Sequence, residues 1–295
     1  MLRKLCLLSL MMIGCVIVSK GQLVKEFKVT DKTGFDIVAL DFTSYKSTLE
    51  LKRYKSTDPI YIHGHLSQSN ILPVFSQNIE NNVLKTSLIH KNIESENLGK
   101  SITSKFFSGS NPDFDHSWNI NLSSNYLYEM DFTLGIGNAN FDLANLTLNN
   151  FKVNSTSADV QIGYSSNDPN QIQMDTVLVT LNMGTIGLSN INYTNAKKMI
   201  FEVNYGKIDL NFSEGMSNAS QVVAAVGAGS IYLHLPPDSY PIKINIKKTP
   251  MCKLTIPKSL KSIENGTYVS KGYKEFNPNL LELTIDVGVG SLTIE

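Results

Sequence analysis

The sequence predicts an all-β fold, a stacked β-solenoid built from short strands. Three observations carry that prediction. First, a small residue or Gly followed by an alternating aliphatic run recurs six times, at 137–143, 157–162, 184–188, 206–210, 229–233 and 290–294. Second, aligned on their first large apolar residue, the first five copies step by 19, 26, 22 and 23 residues, and a period near 22 with strand-type alternation marks a stacked repeat. Third, no segment offers ten or more residues with apolar spacing of three and four, so no helix is expected.

The chain opens with Arg3 and Lys4, then an apolar run from Leu5 to Val18 and the small residues Ser19 and Gly21. This pattern reads as a secretory signal peptide over 1–21, cut before Gln22. An uncleaved anchor and lipidation at Cys15 are the alternatives. The expected location is the periplasm, the outer-membrane surface or the medium. Losing this leader removes Arg3, Lys4 and Lys20 from 26 basic residues and nothing from 26 acidic ones, leaving a net charge of −3. That balance gives no general affinity for nucleic acid. Of three cysteines only Cys252 would remain, so no disulfide forms within the chain. Cys252 stands among lysines but reads as a small strand residue.

Residues 22–90 read as an N-terminal β region, continuous with the solenoid or capping it. Alternation is plain in Phe35–Phe42, Thr48–Lys52, Pro59–Leu66 and Asn82–Ile89. Residues 91–117 are polar and read as a long loop or insertion. From Trp118 alternation resumes, and 118–295 is the solenoid repeat domain. Stacking places Phe141, Val160, Ile186, Ile208 and Ile231 in one column, with Leu143, Ile162, Leu188, Leu210 and Leu233 in the next. The interval of 61 residues before the last copy leaves room for about two weaker rungs. Asn, frequent at 138, 140, 145, 149, 150 and 154, suits the tight left-handed corners of such a stack. Gly-rich phrases at 135–137, 227–229 and 288–290 precede strands rather than helices, so they read as corners and not as a nucleotide loop.

The stretch Leu134–Leu146 with Phe151–Val160, and the ending Gly272-Tyr273 followed by Leu281–Ile294, resemble the bacterial toastrack family. That group takes in proteins named as adhesins, of unknown function, and envelope-stress proteins. The resemblance implies a right-handed β-helix-like stack, exported or tethered at a membrane, with no catalytic residues to transfer. The run of N-terminal membrane helices found in the envelope-stress members is missing from this sequence.

A glycan-cleaving solenoid needs two carboxylates about 5–9.5 Å apart. The outward position after the column residue offers only Asp142 and Asp209, three rungs or about 14 Å apart. His63 and His65 share one strand face, and His90 is a candidate third ligand; two imidazoles alone are too few for a metal site. Sequons occur at Asn121, Asn145, Asn154, Asn192, Asn211, Asn218 and Asn265. Tyr193, Tyr205 and Tyr232 are expected on an outer ladder. No catalytic residue, cofactor or metal site is assigned. The expected function is non-enzymatic: adhesin-like binding or scaffolding at the cell envelope, toward an envelope protein or a glycan. An envelope-stress sensor acting through a membrane protein is one alternative, and a carbohydrate-active β-helix enzyme is another. The contact with membrane is peripheral at most. A homodimer through the terminal strand Leu292–Ile294 is conceivable, because an open strand edge invites pairing.

Overall fold

A computed structural model describes residues 23–30, 33–67, 72–91 and 116–295. The leader expected at 1–21 and most of the polar stretch 91–117 lie outside those residues. In chain order the strands are β1 (Leu23–Lys28), β2 (Ile37–Arg53), β3 (Ile60–Leu66), β4 (Val74–Glu80), β5 (Val83–His90), β6 (His116–Leu122), β7 (Leu127–Asp142) and β8 (Thr147–Gly163). They continue as β9 (Met174–Leu188), β10 (Ala196–Asn211), β11 (Ser220–His234), β12 (Ile242–Lys248), β13 (Cys252–Thr255), β14 (Lys261–Glu264), β15 (Thr267–Val269) and β16 (Leu281–Ile294). Among the described residues the one other element is a 3-10 turn at Ile191–Thr194. None of their helices is long and apolar enough to cross a membrane.

The repeat unit is one long strand with a corner in its middle, rather than several short strands. β2, β7, β8, β9, β10, β11 and β16 stack in that spatial order, all in parallel. Alternation buries one face of each arm. In the first arm Phe42, Phe132, Val153, Val179, Phe201 and Ala224 form one inner column. In the second arm Ala139, Val160, Ile186, Ile208, Ile231 and Leu292 form another. The corners pass through Gly184, Gly206, Gly229 and Gly290. At Gly229 φ is +148°, and a β-carbon would sit 1.8 Å from the Gly206 carbonyl oxygen, so only Gly fits at that position.

Two expectations about register need correction. Phe141 pairs with Ile162, not Val160, and Ala139 takes the place beside Val160. Aligning copies on the first large apolar residue skips Ala139, which is small yet points inward. The corner sets the register instead: Gly137 lies beside Ala158, 21 residues on. Leu143 falls beyond the strand, where its N–H donates to the Gly163 carbonyl at 2.9 Å. The interval before the last copy holds one rung rather than two. That rung is split into β12 and β13, followed by the β14–β15 hairpin. β16 then returns between β11 and the split rung, so Leu292 has Ile231 on one side and Leu254 on the other. The terminal strand therefore presents no free edge at Leu292 or Thr293 for a second chain.

The N-terminal end repeats this insertion. β5 stacks in parallel on the first arm of β2 and β6 on the second, while β7 covers the other side of both arms. Antiparallel strands then finish each end. β4 closes β5, β3 and β1 close β6, and β15 and β14 close β12. Such closure covers the outermost parallel edges that a solenoid would otherwise expose, except at β13, which among the described strands pairs only with β16. Every non-Gly residue with positive φ among the described residues is Asn, at 81, 82, 145, 190 and 195. Asn is the residue best suited to left-handed turns after Gly. Of the asparagines singled out by frequency, only Asn145 has that role; 138, 140, 149, 150 and 154 lie in strands.

Candidate functional site

The first arm carries polar side chains outward where its apolar ones point inward. Register brings Lys85, Ala39, Glu129 and Asn150 into one outer row, and Ser87, Asp41, Asp131 and Lys152 into the next. β4 runs along the side of β5, and Ser76, Gln77 and Asn78 form a wall. Together these rows and that wall enclose a groove of about 550 Å³.

Asp41 and Asp131 stand directly opposite each other on adjacent rungs, about 4.8 Å apart along the stack. Burial, then the charge of Asp131, pushes the Asp41 carboxyl above its usual range, and Lys91 acts in the opposite direction. Glu129 is held by Asn149, whose Nδ2 donates to Oε1 at 3.0 Å. Lys85 lies 2.6 Å from Glu80 at the groove's rim. The groove thus offers ammonium and amide donors beside carboxylate acceptors. It can recognise a polar chain.

The carboxylates read from sequence do not make a site. Asp142 caps a turn, accepting from the backbone N–H of Ala144 at 3.1 Å and of Ser165 at 3.0 Å. Asp209 sits on another row, 2.8 Å from Lys207 Nζ and 3.7 Å from His234 Nε2. The Asp41–Asp131 pair escaped the sequence reading because the two are far apart in the chain. One signal for it exists: the tripeptide Asp-Phe-Thr occurs at 41–43 and again at 131–133.

His63 and His65 share the outer face of β3, as their spacing implies. Their Nε2 atoms are 2.9 Å apart. His90 does not join them. It is 3% exposed on the inner face, with His116 and Trp118 around it. Among the described residues no group of three or more His, Cys, Asp or Glu could hold a metal ion. Trp118 Nε1 donates to Ser44 Oγ at 3.2 Å, and Ser44 and Ser47 share a hydrogen bond of 2.8 Å. Tyr193 is buried against Tyr164 rather than exposed on a ladder. Tyr205 is exposed, and Tyr232 faces outward under Lys207 Nζ, 4.5 Å from the ring centre. Asn192 is buried and accepts from Ser213 Oγ, so its sequon is closed to modification. Cys252 is free and half-buried at the C-terminal end.

Residues 19–184, more than half of the chain, match the family described as the N-terminal domain of toast_rack, DUF2154. No curated protein matches. Among solved structures, a protein of Clostridium sporogenes ATCC 15579, provisionally named for cell adhesion, is 16% identical with a TM-score of 0.46, over 93% of this chain and 99% of that one. A provisionally named adhesin of Bacteroides fragilis NCTC 9343 is 13% identical with a TM-score of 0.33, over 94% and 98%. A provisionally named lipid-binding protein of Parabacteroides distasonis ATCC 8503 is 11% identical with a TM-score of 0.36, over 94% and 98%.

Proposed function

The chain belongs to the toast_rack family through its N-terminal domain, and from that premise we propose that it is an exported, non-enzymatic binding protein of the cell envelope, adhesin-like in holding a polar polymer in the first-arm groove. The observation that carries this reading is the groove itself. Its walls combine Lys85 and Lys152 with Asp41, Glu129 and Asp131 and with the amides of Gln77, Asn78 and Asn150. Convergent donors and acceptors in a concave site are what recognition of a sugar or peptide backbone requires. The stack beneath is rigid, with backbone pairing on both sides of each inner rung, so little ordering cost falls on the protein when it binds. Export rests on the basic-then-apolar start at Arg3–Val18.

The test is retention of the chain from Gln22 onward on immobilised envelope polysaccharide and on envelope peptides. Asp131→Asn combined with Lys152→Ala is expected to weaken retention about tenfold or more, the scale of a lost charge-assisted hydrogen bond. Lys207→Ala, on the other arm, is expected to leave it unchanged. Equal retention of the groove variant would contradict the reading.

One observation favours a second reading, carbohydrate cleavage. Asp41 and Asp131 are neighbours in which one carboxyl is pushed up beside the other, the arrangement that separates an acid from a base. Their backbone rung spacing of about 4.8 Å lies just below the carboxyl separation of about 5–5.5 Å that retaining cleavage uses. Release of reducing ends from the retained polysaccharide, abolished by Asp131→Asn, would establish it.

A further inference from the structure

We propose that His63 and His65 form a surface site for a tetragonal divalent metal, copper(II) above others, on the second arm and outside the groove. The geometry begins with the strand. Residues two apart project to one face, and Gly64 between them turns its bare Cα inward, where a β-carbon would lie 2.5 Å from the Trp118 ring. Packing of Trp118 against Gly64 thus holds the strand so that both imidazoles lie side by side on the outside. Their Nε2 atoms converge to 2.9 Å, with ring centres 4.6 Å apart.

The separation is a hydrogen-bond length in the metal-free protein, and it also lies within the span of two cis donors on one metal. With metal–nitrogen bonds of about 2.0 Å, two donors 2.9 Å apart subtend about 93° at the metal. A tetrahedral angle would need them about 3.3 Å apart at the same bond length. An angle near a right angle is the cis angle of square-planar and tetragonal sites, which suit Cu²⁺ and Ni²⁺, and Cu²⁺ stands highest in the affinity order.

The surroundings prepare the donors. Glu26, opposite His63 on the edge strand β1, places Oε1 3.4 Å from His63 Nδ1. A carboxylate there keeps the proton on Nδ1 and leaves the Nε2 lone pair free for the metal, as outer partners of metal-bound histidines do. The Tyr61 hydroxyl donates to Glu26 and holds it in place, which also pushes the Tyr61 phenol above its usual range. In the metal-free state the two Nε2 atoms share one hydrogen bond; binding moves that proton to His65 Nδ1, which leaves both imidazoles neutral. His63 keeps 24% of its side chain exposed, so a metal can enter and water can fill the remaining equatorial positions.

The test uses the untagged chain from Gln22 onward with Cu²⁺ alone, followed by electron paramagnetic resonance and calorimetry. One equivalent is expected, with two equatorial imidazole nitrogens. His65→Gln keeps a hydrogen-bonding partner for His63 and is expected to fold as the parent while losing at least tenfold in copper affinity. Glu26→Gln is expected to weaken binding about tenfold, the usual effect of losing such a partner. His234→Ala, remote on β11, is expected to change nothing. Copper affinity unchanged in His65→Gln, or a spectrum without two imidazole nitrogens, would overturn the proposal.

Discussion

At the N-terminal end, the split rung of β5 and β6 closes over side chains. Trp118 is 1% exposed, edge-on to Phe42 at 5.6 Å and to His90 at 5.6 Å, and its indole donates to Ser44. At the C-terminal end, the split rung of β12 and β13 closes over backbone. Gly290 N–H donates to the Met251 carbonyl at 3.2 Å, and Cys252 N–H to the Thr249 carbonyl at 3.2 Å, while the Met251 side chain is 65% exposed. The same topological device, an outermost rung in two pieces with a long strand inserted beneath it, thus has a corner filled by a buried aromatic ring at one end and a corner held by backbone hydrogen bonds at the other, although Ile242 and Ile244 of β12 are buried there too. The groove and the paired histidines both lie at the packed end. The difference teaches that the C-terminal end is a plain stopper, whereas the N-terminal end combines closure with the groove and the histidine pair proposed for binding.

Five substitutions break or sharpen that contrast. The largest effect is expected in the shared interior that both ends rest on. Gly229→Ala places a β-carbon 1.8 Å from the Gly206 carbonyl oxygen at a φ of +148°; a loss of more than about 4 kcal/mol is expected, read as failure to melt cooperatively by circular dichroism. Trp118→Ala should cost about 3–5 kcal/mol, whereas Met251→Ala at the opposite corner should stay within about 0.5 kcal/mol in urea unfolding. Comparable costs at the two corners would erase the distinction.

Gly64→Ala comes next, at about 1–3 kcal/mol, because the new methyl group meets the Trp118 ring. In a Trp118→Ala background that cost should largely vanish, a coupling that a double-mutant cycle measures. The smallest effect concerns Asp41. Burial and then Asp131 make the folded chain hold the Asp41 proton more tightly than the unfolded chain does. Its contribution to stability is therefore present in acid and lost as pH rises through the raised folded value. Asp41→Asn is expected to raise Tm slightly above the parent at pH 7, with the gap closing below the ordinary carboxylate value of 3.8.

The regular middle of the fold was legible because it is periodic. Alternation named the inward residues of β8 to β11, and the small residue before each run marked the corner. What failed was local. Ala139 is inward but too small to be counted as apolar, and Phe141 was misplaced by one position of its column. The ends were not legible, because strand insertion pairs residues without regard to chain order. Nothing near Leu292 announces that Leu254 will lie beside it, and chain order does not put Asp41 beside Asp131. The candidate groove depends on that second pairing, so it emerged only with the register, although the repeated Asp-Phe-Thr was present to suggest it. His63 and His65 were legible from their spacing; the inward turn of His90 was not, since β5 had no visible partner in sequence.

The account's central claim is that recognition lies at the packed end. Amide chemical-shift mapping with soluble fragments of envelope polysaccharide tests it most directly. The predicted result is saturable shifts clustered at Asp41, Lys85, Glu129, Asp131 and Lys152, lost in Asp131→Asn with Lys152→Ala. Shifts centred instead on β12 to β15, or the same shifts surviving in that variant, would contradict it.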